Sequence, residues 1–212
     1  MKRLTLAFVC VSMAFFVQAQ DSGYEQVMKE TAAKWEGFVG PDEALELANT
    51  YERIGKVASK EWLPRYYAAH MYIVRSFNVE EGKDDILDKA QEHLDAASNL
   101  GGDESEIAAL QSFLHLGRLV VNTMVRGMTY SGKVVKAAEK AIELNEANPR
   151  GHYILAMYYE GMPKFIGGGM DAACPHYQAA KESFDAYKPV SELHPTWGKD
   201  STLEKVGKCS SN

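Results

Sequence analysis

The sequence predicts an all-α protein. Apolar residues recur three and four positions apart along almost the whole chain, as they do on one face of a helix. No stretch alternates polar residues with apolar β-branched ones, which is the pattern typical of a half-buried strand. Glycine, proline and asparagine divide the chain into segments of helical length. We therefore expect consecutive helices joined by short connections.

The first 19 residues have the features of an export signal. Two basic residues follow the initial methionine, and an apolar run then extends to Val17. A membrane anchor is the alternative, but this run is shorter than the ~20 residues that a spanning helix needs. Small residues at Val17 and Ala19 favour cleavage between Ala19 and Gln20. We expect residues 20–212 to form a single exported domain without a transmembrane segment.

The charge of the exported part argues against nucleic acid as a partner. Removing Lys2 and Arg3 lowers the basic count from 23 to 21 against 29 acidic residues, a formal net charge of −8. A chain this negative repels phosphate backbones, and no basic stripe opposes that effect.

The clearest helix covers residues 131–144. Its apolar residues fall on one side and its charged residues on the other, which predicts one buried face. The apolar set is Val134, Val135, Ala137, Ala138, Ala141, Ile142 and Leu144.

Capping signals place the other helices. Pro41 suits a first helical position, and Asn148 followed by Pro149 marks another start. Gly127 is expected to end a helix, and Pro175 to give its helix an irregular start near residue 171 or 172. The predicted helices are 24–37, 41–57, 60–78, 84–100, 104–126, 130–146, 149–161, 171–187 and 200–208.

The last connection is expected to be extended. Pro189 and Pro195 disfavour helix between residues 189 and 199, and Trp197 offers a large apolar anchor there. A short final helix then returns to dock on the domain.

Two cysteines remain once the export signal is removed. Cys174 and Cys209 are an even pair in a compartment where disulfides persist, and we predict that they are bonded. The bridge closes a loop of 36 residues, a constraint that contributes about 3 to 4 kcal/mol in the chain-entropy model. Two free buried thiols are the alternative.

Weak internal repetition resembles the tetratricopeptide repeat (TPR). From Pro149 onward, the first helix of a pair carries a large residue, a leucine, a small residue and a tyrosine. The second helix carries a small, an aromatic and a small residue. Partial copies of this pattern occur around residues 69–97 and 116–141. The matching positions are His152, Leu155, Ala156, Tyr159, Ala173, Tyr177 and Ala180. The resemblance implies a right-handed TPR-like array of antiparallel helix pairs with a C-terminal capping helix. Residues 48–69, 162–174 and 194–198 also resemble small exported TPR-like proteins of Gram-negative bacteria.

TPR-like arrays bind partners in the groove that their first helices line, and this implies a set of candidate contact residues. Aromatic residues with polar tips suit such contacts, although most of them are expected to pack in the core instead. We expect the exposed groove candidates to be Arg65, Tyr66, His70, His152 and Tyr153.

We find no pattern for catalysis, for a metal or for a cofactor. The six histidines form no i, i+4 pair and no H-E-x-x-H motif, and the chain has no G-x-S-x-G nucleophile elbow. The leading hypothesis is a non-catalytic module in the periplasm that binds a protein or peptide segment, with secretion or an outer-membrane periphery as other locations. A binding component for a small solute, resembling TPR-like subunits of transport systems, is the alternative. An enzyme ranks third.

Overall fold

The computed structural model describes residues 23–35 and 40–209. The predicted export signal, with its cleavage site between Ala19 and Gln20, lies outside these residues. Within the described ranges the chain forms nine α-helices, one 3₁₀-helix and no strand, which confirms the all-α prediction. The helices are α1 (23–33), α2 (Pro41–Val57), α3 (Leu63–Asn78), α4 (Lys83–Asn99), α5 (Glu104–Val121), α6 (Thr123–Leu144), α7 (Pro149–Gly161), η1 (Lys164–Ile166), α8 (Met170–Ala186) and α9 (Lys199–Cys209).

Helix starts follow the capping signals in the sequence. Pro41 is the first residue of α2, and the Glu43 carboxylate accepts a hydrogen bond from the Gly40 N–H at 3.0 Å. At the start of α7, the Asn148 side chain accepts a hydrogen bond from the Arg150 N–H, also at 3.0 Å. These contacts satisfy backbone donors that have no partner within the helix.

The largest boundary error lies at Gly127, while α1 ends at residue 33 instead of 37 and α3 begins at Leu63 instead of residue 60, where Pro64 suits the first helical turn. Gly127 lies inside α6, and the break between α5 and α6 falls at Asn122. The Asn122 backbone leaves the helical region with φ −156° and ψ 90°, and its side chain accepts a 3.1 Å hydrogen bond from the Val125 N–H. The Asn122 side chain offers the backbone a hydrogen bond outside a continuous helix, whereas Gly127 does not take the left-handed conformation with which glycine commonly ends one.

Helix α8 begins at Met170, within one residue of its predicted start, but it continues through Pro175 without the irregular first turn that was expected. Gly169 precedes it with φ +95°, a backbone conformation that glycine adopts without steric cost. The chain therefore turns sharply at Gly169 and enters α8 directly.

The helices pack in chain order. Each helix from α2 to α9 contacts the next, and α5 also contacts both α3 and α7. Helices α3, α5 and α7 thus form one layer, and α4, α6 and α8 cover it from the other side. This arrangement is an array of helices compatible with a TPR-like fold. No described helix is both long and apolar enough to cross a lipid bilayer.

A disulfide joins α8 to α9, as predicted. Cys174 and Cys209 are bonded, with their Cα atoms 5.7 Å apart. The final helix is therefore covalently attached to the last helix pair of the array.

Helices α6 and α7 approach most closely at Gly151. A Cβ atom added there would lie 2.6 Å from Ile142 Cγ1 and 2.8 Å from the Ala138 carbonyl oxygen. Both distances are shorter than side chains tolerate, and the carbonyl belongs to a helix backbone that cannot easily move.

We therefore expect Gly151→Ala to lower the free energy of unfolding by about 1 to 3 kcal/mol, because one added methyl group overpacks this contact. Urea unfolding followed by circular dichroism measures the change. The matched control is Gly132→Ala in α6, where an added Cβ meets nothing within 4 Å; this change should leave stability equal or raise it by about 0.5 to 1 kcal/mol. Equal losses of stability in Gly151→Ala and Gly132→Ala would contradict a close contact between α6 and α7 at Gly151.

Candidate functional site

The segment that precedes α9 lies across the layer formed by α3, α5 and α7. We call residues 187–198 the C-terminal segment. Tyr67 of α3 donates its hydroxyl hydrogen to the Leu193 carbonyl at 2.8 Å, and Arg150 of α7 donates to the Pro195 carbonyl. The Trp197 indole N–H donates to the Tyr66 hydroxyl at 3.0 Å. Three hydrogen bonds from two helices therefore fix this segment.

A buried ion pair lies beneath the segment. Arg150 Nη1 lies 2.8 Å from Glu106 Oε1, and their side chains are 0% and 4% exposed. Tyr66 donates a 3.0 Å hydrogen bond to the second oxygen of Glu106, and Asn148 accepts one from Arg150 at 3.2 Å. Burial raises the pKa of Glu106, and attraction to the Arg150 guanidinium opposes that rise. Such a pair is tolerated inside a protein only when further hydrogen bonds accompany it, as they do here.

Aromatic rings surround Trp197. Its indole stacks on His70 with ring centroids 4.6 Å apart and on Phe113 at 5.8 Å. The guanidinium of Arg150 lies over the same indole, 5.4 Å from its centroid. On the other side of His70, Trp35 makes an edge contact at 4.8 Å. These rings join the C-terminal segment to the end of α1 through the buried His70 side chain.

A cleft of about 620 Å³ opens between α1, α3 and the start of α9. One wall is mainly aromatic and apolar, and the other is polar. The first wall consists of Ala32, Trp35, Tyr67, Val74 and Trp197, and the second of Asn78, Thr196, Gly198, Lys199, Asp200, Ser201 and Glu204. A cleft of this volume and mixed lining is typical of small-molecule sites.

The described lining favours contacts to an aromatic face over metal ligation. None of its side chains is a histidine, cysteine or methionine, and the Tyr67 hydroxyl is engaged with Leu193. Among the described residues, no group of three or more histidine, cysteine or acidic side chains is placed to hold a metal. Lys199 is the one cation of the lining, with Asp200 and Glu204 in the same helix.

A second groove lies between α1 and α2 and has a volume of about 460 Å³. Its lining is more apolar and includes Tyr24, Val27, Ile54 and Val57. We place the candidate site in the first cleft, because it has the larger volume and its lining combines tryptophan rings with a lysine side chain.

Three of the five predicted groove residues, Tyr66, His70 and Tyr153, meet around Trp197, whereas Arg65 and His152 lie apart from them. Tyr66 and His70, expected to be exposed, are 0% and 2% exposed because Trp197 covers them. Tyr153 is half-buried with its ring 6.1 Å from that of Trp197. Arg65 lies instead against Gly55 of α2, and His152 faces His176 of α8.

Sequence reasoning identified Trp197 as an anchor but not as a wall of a site. It also missed Trp35 and the start of α9. The available signal was Trp197 itself, which stands between an extended connection and the first turn of a polar helix. In the structure, Thr196 to Ser201 all line the cleft. Nothing local to that stretch indicates which helices it meets.

Comparison with known proteins gives one informative match. The chain is similar to the solved structure of the HusA haemophore from Porphyromonas gingivalis, with 31% sequence identity and a TM-score of 0.79. The match covers 89% of this chain and 93% of the other. No family model and no curated protein matches the sequence.

His70 is a buried base that stays neutral in the folded protein. Burial, aided by repulsion from Arg150, lowers its pKa from 6.5 to about 3. In the unfolded chain the same imidazole has its ordinary pKa and takes up a proton below about pH 6.5. Protonation therefore favours the unfolded state, and this loss of stability develops as the pH falls from about 6.5 towards 3.

Accordingly, the free energy of unfolding should fall by about 2.5 kcal/mol between pH 7 and pH 4.5 through His70 alone. His70→Phe keeps a ring in the aromatic stack and removes the titrating group. The fall in its free energy of unfolding between pH 7 and pH 4.5 should therefore be smaller by about 2.5 kcal/mol. Urea unfolding at both pH values measures the difference. Identical pH dependence in the two proteins would show that His70 titrates normally when folded.

Proposed function

Because the chain belongs to the same family as the HusA haemophore, we propose that it is an exported, non-catalytic carrier of a tetrapyrrole of the haem class. The aromatic cleft beside Trp35 and Trp197 is the observation that supports this proposal. Trp35 is half-buried and offers apolar ring surface to a flat, conjugated ligand, and the 7% of Trp197 that is exposed borders the same cleft. A haemophore is by its name a carrier of haem and not an enzyme, which also supports a role in binding.

The polar wall suits the other part of such a ligand. Tetrapyrroles of this class carry carboxylates at one edge of an otherwise apolar ring. Lys199 is placed to pair with a carboxylate, while Asp200 and Glu204 would repel one that approached along the helix. We therefore propose that the ring lies against the tryptophans and that its carboxylate edge lies at Lys199.

The structure leaves less room for the peptide hypothesis. A bound peptide would lie along α3, α5 and α7, where the C-terminal segment already makes its hydrogen bonds. Such a partner would first have to displace Trp197 from its contacts with Tyr66 and His70. A small ligand requires no such exchange, so the small-solute hypothesis is the better supported.

Export is part of the proposal. The Cys174–Cys209 disulfide suits an oxidising compartment outside the cytoplasm. The export signal itself stays a prediction from the sequence, and the periplasm, the outer-membrane periphery and the medium are all consistent with it.

Filling the cleft tests its use directly. Ala32 is exposed and lines the cleft, whereas Ala33 is exposed in the same helical turn and does not. We expect Ala32→Trp to weaken binding of haem and of metal-free protoporphyrin IX at least about tenfold, because its indole occupies the ligand volume. Ala33→Trp is the matched control and should bind as the unaltered protein does. Quenching of tryptophan fluorescence during titration measures the affinities.

The outcomes separate the two grooves. Val57 lines the groove between α1 and α2. If Ala32→Trp binds with unchanged affinity and Val57→Arg loses binding, the ligand lies in that groove and not in the cleft. No binding of either tetrapyrrole to the unaltered protein would refute the proposed function.

The carboxylate contact has its own test. We expect Lys199→Met to weaken protoporphyrin IX by about fivefold to tenfold, since a partly exposed ion pair contributes about 1 kcal/mol. The dimethyl ester of the same porphyrin has no charge at that edge and should bind both proteins equally. An equal loss for both ligands would show that Lys199 contributes packing and not charge.

A further inference from the structure

Four of the seven residues of the polar wall belong to one short helix. Lys199, Asp200, Ser201 and Glu204 all lie in the first two turns of α9 and all line the cleft. The position of α9 therefore decides the width of the cleft and the place of its one lining cation.

Helix α9 packs mainly against one helix, α8. Among its described residues Thr202 alone is fully buried, and half-buried Val206 packs near Tyr177. The partly buried Lys205–Glu160 ion pair joins its last turns to α7. A helix of 11 residues is marginal in water without tertiary contacts. The position of α9 thus depends on its contacts with its neighbours and on its two ends.

Two anchors hold the ends of α9. At its start, Gly198 follows Trp197, which the buried network fixes. At its end, Cys209 is the last residue of the helix and is bonded to Cys174 of α8. Both cysteines are partly exposed, so a reductant in solution can reach the bond. Loss of the disulfide would leave α9 attached at one end, beside the cleft.

We propose that the Cys174–Cys209 disulfide is a positioning element of the binding site: it holds α9 against the cleft, and its reduction weakens ligand retention while the helical array stays folded. This inference rests on the proposed function only in placing the ligand in the cleft. Reduction by a dithiol breaks the S–S bond. Two electrons and two protons pass to the sulfur atoms and give two thiols, while the dithiol closes to a cyclic disulfide.

The ligand experiment uses the full exported chain in three forms: oxidised, reduced with dithiothreitol, and carrying Cys174→Ser with Cys209→Ser. Metal-free protoporphyrin IX is the probe, because dithiothreitol would also change the state of haem iron. We expect both forms without the disulfide to bind about tenfold more weakly than the oxidised form, mainly through faster dissociation. Reoxidation of the reduced protein should restore the affinity. Far-ultraviolet circular dichroism should show that most of the helix content remains.

A destabilised protein with an intact disulfide separates positioning from general loss of stability. Leu94→Ala removes a buried side chain from α4 and leaves Cys174, Cys209, Arg150 and the cleft lining unchanged. It should keep the affinity of the unaltered protein at temperatures well below its unfolding transition. A tenfold loss in Leu94→Ala as well would overturn the proposal, since the effect would then follow stability alone.

Trypsin reports on α9 without any ligand. Lys205 and Lys208 lie in the last two turns of the helix, and we expect cleavage after them to be at least about tenfold faster in the reduced protein. If the porphyrin affinity of the reduced protein is unchanged, the positioning role is overturned, whether trypsin cleaves faster or at the same rate. If the oxidised protein binds no tetrapyrrole, the proposed function fails, while trypsin still decides whether the disulfide holds α9.

Discussion

The cleft depends on the docking of the C-terminal segment onto the buried Arg150–Glu106 ion pair. Removing these two charges from water costs several kcal/mol for each ion. Their mutual attraction, together with hydrogen bonds from Tyr66 and to the Pro195 carbonyl, offsets that cost. Loss of either charge would leave the other buried and unpaired, which costs about 3 to 5 kcal/mol. The segment therefore has one favourable position on the array.

That position makes the cleft a composite of distant parts of the chain. Its aromatic wall combines the end of α1 and the face of α3 with Trp197, and its polar wall combines the start of α9 with Asn78 of α3 and the end of the C-terminal segment. The array of consecutive helices supplies only one side. Two different kinds of anchor hold the other side. A buried polar network at Trp197 is sensitive to pH and to packing. A covalent bond at Cys209 is sensitive to the redox potential. The site can thus be rigid at its aromatic end and adjustable at its polar end.

The same docking explains why a binding groove inferred from the repeat pattern is closed. In a TPR-like array, the first helix of each pair faces the groove, and polar-tipped aromatics on those helices are plausible contacts. Here Tyr66 and His70 do lie on that face, but Trp197 covers them. The chain fills part of its own groove, and the remaining space, beside Trp35, has the size of a small-molecule site.

The sequence by itself determined the helices, most of their ends and the pairing of Cys174 with Cys209. These features follow from local signals, namely helical spacing of apolar residues, Pro41 and Asn148 at helix starts, and an even cysteine count. Its error at Gly127 was also local, because Asn122, the N-cap of α6, carries a capping signal of the same kind as Asn148. Only the tertiary structure decided which aromatic residues are buried and where the cleft opens. The Trp197–Tyr66 hydrogen bond joins residues 131 positions apart. No periodicity encodes such a contact, because it depends on how the helices stack and on which buried charges the returning segment can pair with.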